Sequence, residues 1–380
     1  MAEKQKPTLF MGVYNVLACD GRVQRAAAAL AEVSSLTLLG LAGEQECQIP
    51  AVQIHEIRLP RFLSGGPTRL FFFWLAFVCK SIKARPRVVY AHDFFLLLPG
   101  WLASRVLKAK LVYDAHELIV PDAGRYRSFS HRVFYGIERL LVKRADLVIA
   151  ANEARAEIMR VHYRLLKPPL IVRNIPIPVS EQTRPPVSTP ETLPPSNGSI
   201  RLIYQGAMSL ARGIDLFIKV LPRLGEEYEL IMVGDGPDLK TLKEIAKQEG
   251  VESRVSFLGR VSTHELAEIT RRCSVGIVSY SSDDPNERLC APNKVYEYAQ
   301  AGIPMVGTSQ RTLQELVADG GIGTVIRTGG THEETMENCV RGIDYVVRHS
   351  DSMVAHMPEF LRKNNWTNEK SRLAKCFEED

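Results

Sequence analysis

Cysteine is sparse and unpatterned: Cys19, Cys47, Cys79, Cys273, Cys290, Cys339 and Cys376 are seven in 380 residues, and no two form a Cys-x-x-Cys pair. An odd, scattered set of this kind argues against both a disulfide framework and a structural zinc site. Long apolar runs are also missing. The opening Met-Ala-Glu-Lys-Gln-Lys-Pro has no stretch of signal-peptide length, so a cytoplasmic location is expected. The greasiest run, Leu70-Phe-Phe-Phe-Trp-Leu-Ala-Phe-Val78, is shorter than the roughly 20 residues that cross a bilayer. A helix there, apolar on all sides, is either deeply buried, which is the first expectation, or lies at a membrane interface. No Gly-x-Gly-x-x-Gly is present, which leaves a dinucleotide cofactor unsupported. Ser282-Asp283-Asp284 lacks Asp-x-Asp spacing and stands beside Pro285, a turn setting, so no metal is assigned.

What is present is an ordinary globular composition, 45% hydrophobic and 24% charged. A chain of 380 residues exceeds what one core usually supports, and two domains are expected. The net charge is a modest +5, but cations gather in the first half, at Lys80, Lys83, Arg85, Arg87, Arg105, Lys108 and Lys110, then Arg125, Arg127, Arg132, Arg139, Lys143 and Arg144. Such a surface suits anionic lipid or a phosphorylated acceptor, each cation near a membrane contributing about 1 kcal/mol, or serves solubility alone. Nucleic acid is not an expected partner.

Helix and strand patterns alternate along the chain, which implies parallel sheets. Residues 9–17 read as a strand leading into an Ala-rich helix at 26–31. Gly12 and Gly21 suit close approach of a ligand to that turn. Residues 87–93 and 109–117 read as strands ending in polar groups, where ligands of open α/β sheets bind. A helix over 138–143 and strands at 145–151 and 170–176 follow. Between 176 and 195 there are seven prolines, a composition that resists helix and sheet and marks a linker. Strands at 200–206, 229–233, 254–259 and 274–280 come next, with helices at 239–249 and 264–272. The expected division is 1–178, a linker at 179–199, 200–360, and an amphipathic helix at 361–380 carried by Trp366, Leu373 and Phe377.

The chemistry concentrates in residues 286–306. Pro292 suits a first helical position, 293–301 reads as a helix ended by Gly302, and 303–306 as a short strand. Asn293 and Glu297 are four apart and share a helix face, one turn from free backbone N–H groups that attract phosphate. A carboxylate so placed suits sugar hydroxyls.

The string Pro-Asn-Lys-Val-Tyr-Glu-Tyr-Ala-Gln-Ala-Gly-Ile-Pro resembles the nucleotide-sugar signature of the family 4 (group 1) glycosyltransferases, of bacterial polysaccharide or lipid-linked glycan type. The resemblance implies an α/β protein of GT-B fold, two Rossmann-like domains with parallel sheets facing a central cleft. The first domain would bind acceptor and the second the nucleotide sugar; in the family the first turn faces the cleft, which makes Asp20, Arg22 and Arg25 candidate acceptor or phosphate contacts. In the family's Glu-x7-Glu pattern Glu297 fits the second place, which holds the ribose. The first place, which contacts the donor sugar, falls on Leu289, with Glu287 out of register by two. Val-Tyr-Asp-Ala-His-Glu resembles the strand that delivers a histidine beside the donor sugar, making His116 the candidate and His92 its competitor. Gly206 and Arg212 match the diphosphate loop, where a guanidinium holds pyrophosphate in two-point fashion. The usual second basic residue is replaced by Ala207, and Lys294 is expected to supply that charge. Gly234, in a tight Val-Gly-Asp-Gly-Pro turn, and Asn293 complete the nucleotide-binding set.

The implied reaction moves a sugar from a nucleotide diphosphate donor, a UDP-sugar in the first instance, to a hydroxyl of a glycan or lipid-linked acceptor. It would retain anomeric configuration and need neither metal nor cofactor. The expected setting is the cytoplasm, and the cations and apolar run of the first domain add peripheral contact with the inner face of the plasma membrane as an option. Two rivals stand beside it: a GT-B nucleotide-sugar epimerase, and a non-catalytic nucleotide- or glycan-binding partner subunit of a transferase, for which Leu289 and Ala207 are the grounds.

Overall fold

The computed structural model describes residues 6–59, 66–121, 128–179, 198–281 and 285–378. Residues 180–197 of the proline-rich linker, Arg125, Arg127 and the Ser282-Asp283-Asp284 motif lie outside the described residues. The chain divides into two compact units: Met1–Asn174 with Trp366–Asp380, and Ile175–Asn365.

The first unit runs β1 (Thr8–Val16), α1 (Gly21–Ala31), β2 (Ser35–Leu41), β3 (Val52–Ile57), α2 (Gly66–Ala84), β4 (Val88–His92), α3 (Asp93–Leu107), β5 (Lys110–Ala115), α4 (Phe129–Leu141), β6 (Leu147–Ala150), α5 (Glu153–Tyr163) and β7 (Leu170–Ile171). Its seven strands are parallel, in the order β3-β2-β1-β4-β5-β6-β7. Central strands such as Val88-Val-Tyr-Ala-His92 are buried throughout, as strands covered on both faces must be. The chain builds outward from β1 to β3 and then returns to β1's other side with β4. The topological switch point therefore lies between β1 and β4, beyond whose C-terminal ends ligands of such sheets bind.

Helix α2 corrects the expectation of a buried helix. Leu70, Phe73, Phe77 and Ser81 form one buried ridge, while Phe71, Phe72, Leu75 and Ile82 on other faces are exposed. Its packing also corrects the reading of Gly12. A Cβ at Gly12 would lie 2.4 Å from the Phe77 ring, so glycine is required there by a helix seated on the strand, not by a ligand.

The second unit runs β8 (Ile200–Gln205), α6 (Asp215–Lys219), β9 (Tyr228–Val233), α7 (Leu239–Gln248), β10 (Val255–Gly259), α8 (Thr263–Arg271), β11 (Val275–Val278), α9 (Pro285–Arg288), α10 (Asn293–Ala301), β12 (Met305–Thr308), α11 (Arg311–Leu313), β13 (Gly323–Ile326), α12 (His332–Arg348) and α13 (Ser350–Lys363). Six parallel strands pair as β10-β9-β8-β11-β12-β13, with the switch point between β8 and β11. Helix α8 starts on a full capping box between Ser262 and Glu265, and α10 stops at Gly302 in the left-handed conformation, as its sequence requires. Pro292 caps α10 from an extended conformation instead of occupying its first turn.

The last helix, α14 (Trp366–Glu378), belongs to the first unit. Leu373 and Phe377 enter its core with Met11, Leu38 and Tyr90. The buried Glu369 carboxylate accepts hydrogen bonds from the Arg173 backbone N–H at 3.0 Å and from Arg173 Nε at 2.9 Å. A buried charge held this way has its partner supplied on site, which anchors the helix against the strand edge.

Candidate functional site

In the second unit, four of the expected residues converge at the switch point. Strand β8 ends in Tyr204 and Gln205 and turns at Gly206; β11 is followed by Tyr280; α10 supplies Lys294 and Glu297. The Lys294 ammonium lies 4.1 Å from the centroid of the Tyr204 ring and 5.5 Å from that of Tyr280. The Arg212 guanidinium lies over the same Tyr280 ring at 5.1 Å. Ser279 Oγ donates to the Arg212 carbonyl at 2.6 Å, tying the loop after β8 to the end of β11. Two cations thus share one aromatic platform, which attracts each of them but does not cancel their charge.

Among the described residues Lys294 Nζ is buried with no hydrogen-bond partner, and so is Asn293 Oδ1 at the first residue of the helix. Burial and the nearby Arg212 lower the Lys294 pKa to about 7, against the opposing pull of Glu297, Cys290 and Glu287. A desolvated, unpaired ammonium beside a guanidinium is costly unless an anion completes it.

Glu297 accepts a hydrogen bond from Gln205 Nε2, and Gln205 Oε1 accepts from Thr270 Oγ1 at 3.2 Å. The carboxylate lines a pocket of about 80 Å³ together with Pro176, Ile177, Gln205 and Thr270. It is half-buried and oriented, not a solvated helix carboxylate.

The glycines have a packing explanation. Gly206 and Gly234 have φ values of +134° and +136°, in the region that favours glycine. A Cβ on Gly234 would lie 1.9 Å from the Gly206 carbonyl oxygen, so the turns after β8 and β9 touch backbone to backbone. At Gly206 the nearest atom to a Cβ would be Lys294 Nζ at 3.5 Å, so this turn passes directly over the ammonium.

Spacing along the chain missed one acidic group. Glu287, set aside as out of register, exerts its charge on Lys294, Arg212 and Tyr204, and its carboxylate accepts from the Ser281 backbone N–H at 2.9 Å. Residues 289–292 between α9 and α10 are not helical, so a count calibrated on a continuous motif does not locate side chains there. Tyr204, Tyr280, Gln205 and Thr270 were missed too; only the placement of Tyr204 and Gln205 at a strand's carboxyl end hinted at them.

In the first unit, His116 follows β5, the strand that pairs with β4 next to the switch point. Its Nε2 is 2.9 Å from His92 Nδ1, and its carbonyl accepts from Arg155 Nη1 at 2.7 Å. Burial, helped by His92 and Arg22, holds its pKa below the usual imidazole value against the pull of Asp114, so the ring is neutral near pH 7. Ligand atoms of His92, Asp114 and His116 fall within 4.8 Å of one another, a spacing that would fit a metal ion. Both Asp114 oxygens are engaged, however, Oδ1 by Arg22 Nη2 at 2.6 Å and Oδ2 by the Tyr90 hydroxyl at 3.0 Å. Burial alone would raise the Asp114 pKa, but Arg22, His92 and His116 outweigh it and hold the carboxyl well below its usual range. With a guanidinium already in the cation's place, this is an ion-paired network that orients His92 and His116.

That network also corrects the reading of the first turn. Asp20 caps α1 by accepting from the Val23 N–H at 3.1 Å, Arg22 is committed to Asp114 and to the Val172 carbonyl at 2.8 Å, and Arg25 donates to Asn174 Oδ1 while standing over the Trp366 ring at 5.6 Å. All three residues hold the unit together.

Residues 189–353 match the family described as "Glycosyl transferases group 1", and residues 21–172 match "Glycosyl transferase 4-like domain". A glycogen synthase of Mycobacterium tuberculosis is 25% identical over 63% of this chain and 56% of its own length, so the chain spans little more than half of that relative. Among solved structures, Anabaena HepE in complex with UDP and glucose aligns over 98% of this chain and 100% of its own, at 15% identity and a TM-score of 0.73. Sucrose-phosphate synthase from Thermosynechococcus elongatus aligns over 98% and 99% at 13% identity and a TM-score of 0.76. At these identities the structural likeness concerns the fold, which is GT-B in these neighbours.

Proposed function

The chain belongs to the group 1 glycosyltransferases of GT-B fold, and from that premise we propose that it transfers a sugar from a UDP-sugar to a hydroxyl of a glycan or lipid-linked acceptor. The observation that carries this reading is the buried Lys294 amino group, without a hydrogen-bond partner among the described residues, beside the Arg212 guanidinium over the same Tyr280 ring, two basic groups that one anion can bridge. A diphosphate fits it. HepE, a neighbour in fold, binds UDP and glucose, which supports uridine as the first base to test.

In the proposed reaction the anomeric carbon's bond to the diphosphate oxygen breaks and its bond to the acceptor oxygen forms. The acceptor's proton passes to the departing phosphate. Arg212 and Lys294 stabilise the charge growing on that leaving group, and do so without rearranging, because they are already held in place. Glu297, oriented by Gln205, takes the ribose hydroxyls. Glu287 is the carboxylate proposed for the donor sugar, in the role its neighbour Leu289 has no group to fill. His116 is proposed to meet the transferred sugar as a neutral imidazole. Retention of configuration, independence of metal and work at the cytoplasmic face of a membrane are parts of the same proposal. No helix among the described residues is long and apolar enough to cross a membrane.

The test begins with thermal unfolding in saturating UDP, GDP, ADP and CMP. A ligand at about 100 times its Kd adds roughly 2.7 kcal/mol, enough to raise Tm by several degrees. A selective rise with UDP, followed by sugar transfer from UDP-sugars, is the expected result. Binding with neither transfer nor hydrolysis would replace the proposal with a non-catalytic partner subunit, and conversion of donor without acceptor would replace it with an epimerase.

A further inference from the structure

The first unit contains a second concave site, separate from the His92–Asp114–His116 network. A cavity of about 810 Å³ opens between α2, α3 and α4, within the range of about 300–1,000 Å³ typical of small-molecule sites. Its wall is aromatic. Phe94, Phe95 and Phe134 pack with centroid separations of 4.2, 5.2 and 5.0 Å, Tyr14 meets Phe95 at 5.7 Å, and Trp74 is pinned by its indole N–H donating to the Phe95 carbonyl at 2.7 Å. These residues stand on β1, at the start of α3 directly after β4, and on α2 and α4, so the cavity lies at the carboxyl end of the switch-point strands. Glu117, which immediately follows His116, is on its wall.

A core void of this size would be unfavourable, whereas a ligand site needs one. The rim is unusual for a surface facing only water: Phe71 is 60% exposed and Phe129 is 82% exposed, and both line the cavity. Among the described residues that line it the polar groups are Glu117, Ser128, Ser130 and His131, against an otherwise largely aromatic and aliphatic wall, and an acidic residue on that wall disfavours an anionic group. Such a wall selects hydrocarbon.

We infer that the acceptor is an amphiphile whose hydrocarbon chain beds in this cavity, leaving its sugar hydroxyl at the strand ends beside His116. The inference rests on the transferase reading given above and narrows it, choosing a lipid-linked acceptor over a free glycan. A concave site takes one chain at a time, and this distinguishes it from adhesion of the exposed α2 face to a bilayer.

Chain binding is measured without donor. Hexyl, octyl and decyl glucosides, kept below their micelle-forming concentrations, are titrated into protein in which Trp101→Phe and Trp366→Phe leave Trp74 as the emitting residue. Affinity is expected to rise about fourfold per added methylene until the cavity is full. Val133→Trp, which narrows the cavity, is expected to weaken decyl glucoside at least about tenfold, and Phe71→Ser, at an exposed ring, several-fold, as read by calorimetry. In both variants the UDP-induced rise in Tm should be unchanged, because that site is in the other unit. Affinity that ignores chain length, or binding to phosphatidylcholine vesicles with none to monomeric glucosides, would overturn the inference and leave the UDP response intact. Loss of the UDP response in the parent protein would strike at the transferase reading and not at the cavity.

Discussion

The Lys294 ammonium sits 4.1 Å from the centroid of the Tyr204 ring, buried and without a hydrogen-bond partner among the described residues. Its depressed pKa, about 7 because of burial and Arg212, makes diphosphate binding sensitive to pH. Below pH 7 the free protein already carries the charge. Above it the amine is neutral and must take up a proton as the diphosphate binds, which costs up to about tenfold in affinity per pH unit. Calorimetric Kd values for UDP between pH 6 and 9 are expected to be flat at first and then to rise, with proton uptake visible in buffers of different ionisation enthalpy. Lys294→Met should bind weakly at every pH and show no such rise.

Glu297→Ala is expected to weaken UDP by about 1.5–3 kcal/mol, the usual range for hydrogen bonds to a charged group. Gln205→Leu keeps the carboxylate but removes the donor that orients it, and should cost less. If both substitutions left the Kd unchanged, Glu297 would not be the ribose contact.

Gly234→Ala tests whether this glycine serves packing. The left-handed φ and a Cβ 1.9 Å from the Gly206 carbonyl together predict a loss of more than about 2 kcal/mol in unfolding free energy. Gly250→Ala also substitutes a glycine at positive φ, +69°, but into open space, and is expected to show only the smaller conformational cost. Urea unfolding of the two variants separates strain from collision.

Glu138 predicts a pH dependence of stability in the first unit. Its carboxyl is fully buried and accepts from the hydroxyls of Tyr113, at 2.6 Å, and of Tyr163; burial raises its pKa to about 7 although both hydrogen bonds lower it. The unfolded chain releases this proton near the ordinary value of 4.5, so between pH 4.5 and 7 the folded state holds a proton that the unfolded state has lost. Stability from this group is therefore greatest below the unfolded value and falls as pH rises towards 7, by on the order of 3 kcal/mol, then levels off. Glu138→Gln keeps a hydrogen-bonding side chain without the ionisation, and its unfolding midpoint should fall less between pH 5 and 8 than that of the parent.

Much of the nucleotide-side reading depended on relationships within one helix. The placement of Asn293, Lys294 and Glu297 on α10, and its stop at Gly302, follow from helical periodicity and glycine's conformational freedom, so neighbouring residues settle them. Alternation of strand and helix implied parallel sheets for the same reason. Beyond residue 306 the reading above expects only the closing helix, although Gly329-Gly330 and the capping box between Thr331 and Glu334 mark the start of α12.

The chain alone thus determined which segments are strands and helices around its motifs, and which polar groups gather in the first turns of α10. Tertiary structure decided the rest, because the deciding contacts join residues far apart in sequence. Tyr204 and Tyr280 become the platform for Lys294 only when β8 and β11 pair. Glu287 acquires its place from the fold around a non-helical connection, where counting residues has no geometric meaning. Gly12 is accounted for by Phe77, 65 residues away, and Arg22 by Asp114, 92 residues away. Helix α2 is apolar around its whole circumference; only its neighbours determine that Phe73 and Phe77 are core while Phe71 faces outward at the cavity rim. Hydrophobicity is a property of each residue, but burial is a property of what packs against it.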